Sequence, residues 1–312
     1  HDAHHALARH TAAECAVLLK NEDSFLPLRS DQSIALIGAF AEAPRYQGTG
    51  SSQVNPTHLD KAIDTFKSNA DHIEYCPGYD PKRSDQDSAL LTEATRLAQR
   101  CDVAVVFVGL PPIYESEGFD RVQFDLPIQH TKLVDAVCEA NPNTVVVLSN
   151  GSPIAMPWVT KPKAILEGYL AGQAGGSAIA EVLLGLREPG GRLAETFPVK
   201  ITDVAADKYF PGDSRQVQYR EGLYVGYRYF DSARREVLFP FGHGLSFTTF
   251  KYTALQASST SVSFTLENTG SVAGAEVAQQ QDEVAVAGQR CDRCRKSARL
   301  VDIVGCTDQH RS

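Results

Sequence analysis

The stretch "DVAVVFVG", residues 102–109, decides how the fold is read. One aspartate opens it, one glycine closes it, and six apolar residues run between them without alternation. A strand with one wet face alternates apolar and polar side chains, whereas a continuous apolar strand is buried on both faces of a parallel sheet. The flanking sequence repeats the theme. "SIALIGA" (33–39), "HIEYC" (72–76), "TVVVLSNG" (144–151) and "KAILEGYL" (163–170) are strand candidates. Segments of helical spacing alternate with them: "THLDKAIDTFKS" (57–68), "DSALLTEATRLAQRC" (87–101), "IQHTKLVDAVCEA" (128–140) and "GGSAIAEVLLGL" (175–186). In the first, Leu59, Ile63 and Phe66 share a face; in the second, Leu90, Ala94 and Leu97 do. Strands and helices alternating at these lengths predict an α/β fold, a three-layer α/β/α sandwich on a mostly parallel sheet, over residues 1–198.

Past residue 198 the rhythm changes. Residues 199–251 are aromatic-rich, punctuated by glycine and without a helical period, and are read as a linking segment of the same domain. From 252 to 279 the chain alternates with period two and breaks at "ENTGS", as a β-sandwich begins. Residues 280–312 carry no sustained alternation and are rich in Arg and Cys, so they read as an aberrant tail outside the native fold. A sandwich stopped after two strands leaves an apolar face and open edges.

Composition excludes several function classes. The 312 residues suggest about two domains, and 43% hydrophobic content is enough for a core. A net charge of -8 argues against nucleic acid or an anionic membrane as the main partner. No apolar run approaches the ~18 residues of a membrane helix. The first residues do not form a signal peptide, because their helix is interrupted by His10, Glu14 and other polar groups. Without an initiator Met, the chain reads as starting inside a longer protein. Cys15, Cys76, Cys101 and Cys138 are scattered through the apolar body and read as buried thiols of a reducing compartment such as the cytoplasm. Cys291, Cys294, Cys306 and His310 offer a zinc-like donor set, but without the hairpin glycine or apolar anchors of a zinc module; no metal is expected.

In a parallel sheet, chemistry gathers on the loops that leave the carboxyl ends of strands. Here these are residues 41–56, 110–121 and 150–158, which topology alone places on one edge. The middle loop holds "YESEGFDR" (114–121), with four ionisable groups in eight residues. A carboxyl at a strand mouth, Glu115 or Glu117, sits partly desolvated; burial raises its pKa and suits it to general-acid work near neutral pH. Gly118 frees the loop to project the side chain, and Asp120 beside Arg121 is expected to brace it by a local ion pair. A solvated acidic loop is the competing reading. The first loop, "RYQGTGSSQVNP", has Gly48, Gly50, Ser51 and Ser52 but neither the lysine nor the spacing of a phosphate loop, and reads as a tight hydroxyl-rich turn. Tyr46 and Gln47 suit a polyol through stacking and amide hydrogen bonds. His243 in "PFGHGLSF" lacks the context of a nucleophile elbow around Ser246 and reads as a hydrogen-bonded packing residue.

Taken together, "AAECAVLLKNEDSFLPL", "IALIGAFAEAPRYQGTGSSQVNP", "ESEGFDR", "TVVVLSNGSPIAMPW", "AILEGYLAGQAGGSAIAEVLLG", "EPGGRLAETFP", "YREGLYVGYRYFD" and "LFPFGHGLSFTTFKY" resemble, in order, the α/β-sandwich domain of glycoside hydrolase family 3 β-glucosidases. Residues 252–279 resemble the first strands of that family's fibronectin type III-like module. The resemblance implies retaining, exo-acting hydrolysis of a β-linked glycoside without a cofactor. It places the general acid/base at Glu117 of the Glu-Gly-x-Asp-Arg motif, with Asp120 and Arg121 as motif support; Glu115, outside the matched core, is the runner-up and is expected to bind substrate. It makes the loop of Tyr46 and Gln47 a border of the substrate pocket. The family's nucleophile is an aspartate on a preceding (β/α)8 barrel, in a Ser-Asp-Trp or Ser-Asp-Tyr context. The one tryptophan here, Trp158, follows Pro157, and a barrel needs ~250 residues, so the nucleophile is expected elsewhere. A non-catalytic carbohydrate-binding or domain-packing module is the alternative. An unrelated nucleotide-binding protein is disfavoured by the missing phosphate-loop glycines.

Overall fold

The computed structural model describes residues 1–276 apart from 84, 86, 214 and 258–261. The tail from 280, with its Cys291, Cys294, Cys306 and His310, lies outside the described residues. In chain order, α1 (Asp2–Cys15) leads into β1 (Val17–Asn21), β2 (Ser33–Ile37), α2 (Ala62–Asn69), β3 (His72–Cys76), α3 (Ser88–Arg100), β4 (Val103–Gly109), α4 (Ile128–Ala140), β5 (Thr144–Ser149), β6 (Ala164–Glu167) and α5 (Gly175–Leu183). The six strands form one sheet in the order β1-β6-β5-β4-β2-β3. β2 to β6 are mutually parallel, and β1 closes one edge antiparallel to β6.

The central strand is the apolar stretch quoted first. Every residue of β4 is buried, and β5 differs only at its last position. Helices cover both faces: α1 and α2 pack on α5, while α3 and α4 pair with each other. Right-handed crossovers require this split, because the chain runs one way from β2 to β3 and the other way from β3 to β6. The two directions part between β2 and β4, and the loops that leave those two strands lie against each other at the carboxyl edge.

Several expectations change. α1 is continuous from Asp2 to Cys15; its polar groups decorate it rather than interrupt it. Only the second half of 57–68 is helical, because His58 and Asp60 are engaged with other segments and the Asp60 amide donates to Gln173 O at 2.9 Å. β1 is an edge strand that the period-based reading passes over. Cys15 is exposed and Cys138 half-buried, so of these four cysteines Cys76 and Cys101 alone are buried thiols. Within 199–251 a short helix, α6 (Tyr227–Ala233), buries Phe230, and β7 (Phe197–Pro198) pairs antiparallel with β8 (Val237–Phe239).

The chain divides into two compact units, His1–Leu245 and a second beginning at Ser246. Within the second, β9 (Phe250–Ala257) and β10 (Val262–Asn268) form an antiparallel pair, with Tyr252 against Phe264 at 5.1 Å between ring centres. No helix among the described residues is long and apolar enough to cross a membrane.

Candidate active site

The three carboxyl-edge loops meet as the topology requires. Glu117 N donates to Thr49 O at 2.9 Å, which ties the loop after β4 to the loop after β2. The Glu117 side chain then takes two hydrogen bonds on Oε2, from Ser51 N and Ser51 Oγ, each at 2.6 Å. Such a close approach needs Gly50: its φ is +117°, and a Cβ there would lie 2.5 Å from Glu117 Cβ. Gly118 follows with φ +92° and open space around it, and turns the chain back. The hydroxyl-rich turn therefore does cradle an anion, and the anion is Glu117.

The electrostatic consequence runs against the expectation of a desolvated acid. Glu117 is exposed, and the Ser51 side chain and backbone together hold its carboxyl below the ordinary glutamate range. Hydrogen bonds to the charged form outweigh the small opposing effect of desolvation at this exposed position.

Glu115, two residues away, does different work. Its Oε2 accepts from Gly151 N at 2.8 Å and its Oε1 from Ser152 Oγ at 2.7 Å, joining the loop after β4 to the loop after β5. Its carbonyl accepts from Arg45 Nη2 at 3.0 Å, and buried Arg45 also donates to Leu110 O and Gln47 O. Arg121 does not pair with Asp120. It turns inward and donates to Gln123 O, Phe124 O, Ser152 Oγ and Pro153 O, because four acceptors in one place match its planar fork better than one exposed neighbour. Asp120 is exposed on the loop surface. Gln47 and Tyr46 bond to each other at 2.8 Å, and both ends of the Gln47 amide bond the Val54 backbone at 3.0 Å, closing the loop. His243 packs as expected: its Nε2 donates to Leu19 O at 2.8 Å and its ring stacks on Phe239.

Three participants have roles that the sequence does not spell out. Those of Ser51 and Arg45 emerge only once the loops meet in space. Glu167 leaves a signal in retrospect, an acid ending the apolar run "AILE". It is fully buried, accepts from Tyr169 N at 2.8 Å and Asn150 Nδ2 at 2.9 Å, and is pushed up to about 8 by burial despite both bonds. Tyr169 Oη donates to Glu195 at 3.1 Å, and burial raises Glu195 as well. Burial thus favours the neutral form of both carboxyls.

Known proteins match this architecture. The model of the glycosyl hydrolase family 3 C-terminal domain matches residues 16–247. A thermostable β-glucosidase B of Acetivibrio thermocellus is 50% identical over 89% of this chain and 38% of its own length. An exo-α-(1→6)-L-arabinopyranosidase of Bifidobacterium longum is 42% identical over 89% of this chain and 39% of its own length. A solved family 3 β-glucosidase of Bifidobacterium adolescentis superposes with a TM-score of 0.83 at 42% identity, over 86% of this chain and 40% of that one. The chain spans about two fifths of the length of these relatives.

Proposed function

The chain belongs to glycosyl hydrolase family 3, matching its C-terminal domain, and we propose on that premise that it is the acid/base-bearing part of a retaining, exo-acting β-glucosidase-type hydrolase. Glu117 is the general acid/base. The nucleophile stands on a (β/α)8 barrel, and the substrate is a β-linked glycoside bound between the two. Residues 252–279 are the start of a fibronectin type III-like module.

One observation carries the reading: Glu117 sits at the topological switch point and is gripped through Oε2 alone. Among the described residues, Oε1 has no recorded hydrogen-bond partner. The other acid, Glu115, has both oxygens engaged in joining loops. Of the two glutamates, Glu117 is therefore the one with an oxygen free for a proton in transit, and unlike the exposed Asp120 of the same motif it is held in place by the neighbouring loop.

The chemistry follows. In the first step Glu117 gives its proton to the departing glycosidic oxygen while the nucleophile attacks the anomeric carbon; in the second its carboxylate takes a proton from water. Ser51 stabilises the anion, which is the form the second step needs. The first step needs the proton retained. Desolvation beneath a barrel, with a second carboxylate about 5–5.5 Å away, raises the pKa in that direction.

The test joins the barrel of the Acetivibrio thermocellus relative ahead of His1. The isolated chain should hydrolyse aryl β-glucosides little or not at all, and the fused protein should turn them over. Glu117→Gln should cost roughly 10²–10⁴-fold on poor leaving groups and far less on dinitrophenolate, which departs without a proton. Equal losses on both would rule out the acid role. A non-catalytic carbohydrate-binding module has one point in its favour, the exposure of Glu117; glycoside binding by the fused protein without turnover would select it.

A further inference from the structure

We propose that His5, His58 and Asp60 form a binding site for a divalent transition-metal ion of the zinc class, clasping α1 to the root of the loop that carries Ser51. His5 comes from α1, and His58 and Asp60 from the extended segment before α2. The Asp60 side chain is 6% exposed, and both imidazoles point at the same oxygen. His5 Nε2 lies 3.0 Å and His58 Nε2 2.9 Å from Asp60 Oδ1, and the three donor atoms lie within 4.8 Å of one another. Donors bound tetrahedrally at about 2.0–2.1 Å from zinc stand about 3.3 Å apart. The two histidine–aspartate spacings change by a few tenths of an ångström when an ion enters, and the two imidazole nitrogens, within 4.8 Å of each other, close up by rotation of the exposed His58 side chain, while two imidazole protons move to the far ring nitrogens.

The surroundings fit a metal. His5 Nδ1, the far nitrogen, bonds to the Gln173 side chain at 2.9 Å, and Gln173 O accepts from Asp60 N at 2.9 Å. A metal-bound histidine orients itself by such an outer partner; with its amide turned, Gln173 accepts the Nδ1 proton. His5 and His58 border a cavity of about 590 Å³, also lined by Asp2, Arg9, Glu181 and Arg187, with room for water to complete the coordination. Its two guanidinium groups are engaged by Glu181, at 2.7 Å from Arg9 and 2.6 Å from Arg187. Two imidazoles and a carboxylate suit zinc, cobalt(II) or nickel(II) rather than calcium or magnesium.

The place gives the ion a structural role. The loop holding Ser51 is tied at one end by Gly172 N to Tyr46 O, at 2.9 Å, and at the other by Asp60 N to Gln173 O. A bound ion adds a tie from the second end to α1. The proposal stands apart from the assignment of Glu117.

The test uses the full, untagged chain with Cys291, Cys294 and Cys306 changed to serine and His310→Ala, which removes the competing donors of the tail. Zinc and cobalt(II) are titrated by calorimetry and absorption. The expected result is one ion per chain, cobalt d–d bands without thiolate charge transfer, a raised Tm, and affinity at least about tenfold weaker in His58→Ala. His58 is 71% exposed, so that variant keeps its core. Gln173→Ala should weaken binding about tenfold through the outer arm. Absence of a stoichiometric ion, thiolate charge transfer, or unchanged affinity in His58→Ala would overturn the proposal.

Discussion

At the scale of the residue, two glutamates on one sheet edge are driven in opposite directions. Glu117 is exposed and held low by Ser51, whereas Glu167 is enclosed and pushed up to about 8. Ser51→Ala removes one of the two bonds on Oε2, so the Glu117 pKa should rise; a carboxyl ¹³C titration reads it, and a fall would contradict the account. For Glu167 the sign is the reverse of the usual carboxylate case. Its folded pKa lies above its unfolded value, so its stabilisation is fully present below about pH 4.5 and is lost as pH rises towards 8. The slope it adds is at most about 1.4 kcal/mol per pH unit. Urea unfolding from pH 5 to 8 should show this slope in the wild type and a flatter one in Glu167→Gln; identical slopes would contradict the assignment. Glu117 stands out in the sequence as a candidate because its motif is local. Ser51 does not, because its role depends on a contact across 66 residues. The Asp120–Arg121 pair illustrates the same limit: sequence adjacency suggests an ion pair, but packing gives the guanidinium four better acceptors.

At the scale of the element, the strands were legible where burial on both faces leaves an unbroken apolar run, as in β4 and β5. β1 escaped because its first three residues, Val17 to Leu19, continue the apolar stretch that closes α1, and its last two, Lys20 and Asn21, are polar. The helix expected from residue 57 starts at Ala62 because side chains before it serve tertiary contacts, which periodicity does not record. The turn between β2 and α2 carries a prediction of its own. Gly50→Ala places a methyl group against Glu117 at a backbone angle that costs an alanine about 1–3 kcal/mol. The variant should unfold at lower urea and release Glu117 from Ser51, raising the Glu117 pKa. Wild-type stability with an unchanged pKa would show that the loops do not touch as described.

At the scale of the whole molecule, the sheet edge that carries Glu117 is flanked by apolar side chains open to solvent, among them Val122 at 91% exposure and Phe119 at 51%. Such a rim suits a surface covered by another domain, and the relatives are more than twice as long as this chain. The isolated chain should bind an apolar dye and tend to associate, and fusion to a barrel should lower both; a dye-silent monomer would contradict this. The division of labour is itself the central claim: this chain supplies the proton-transfer group and the barrel supplies the nucleophile. The most direct measurement is azide rescue of Glu117→Ala in the barrel fusion, with dinitrophenyl β-glucoside as substrate. If Glu117 is the acid/base, the variant accumulates glycosyl-enzyme, azide restores turnover in proportion to its concentration, and the product is the β-glycosyl azide. If azide leaves the rate unchanged while wild-type fusion is active, the proton is moved by another group and the claim fails.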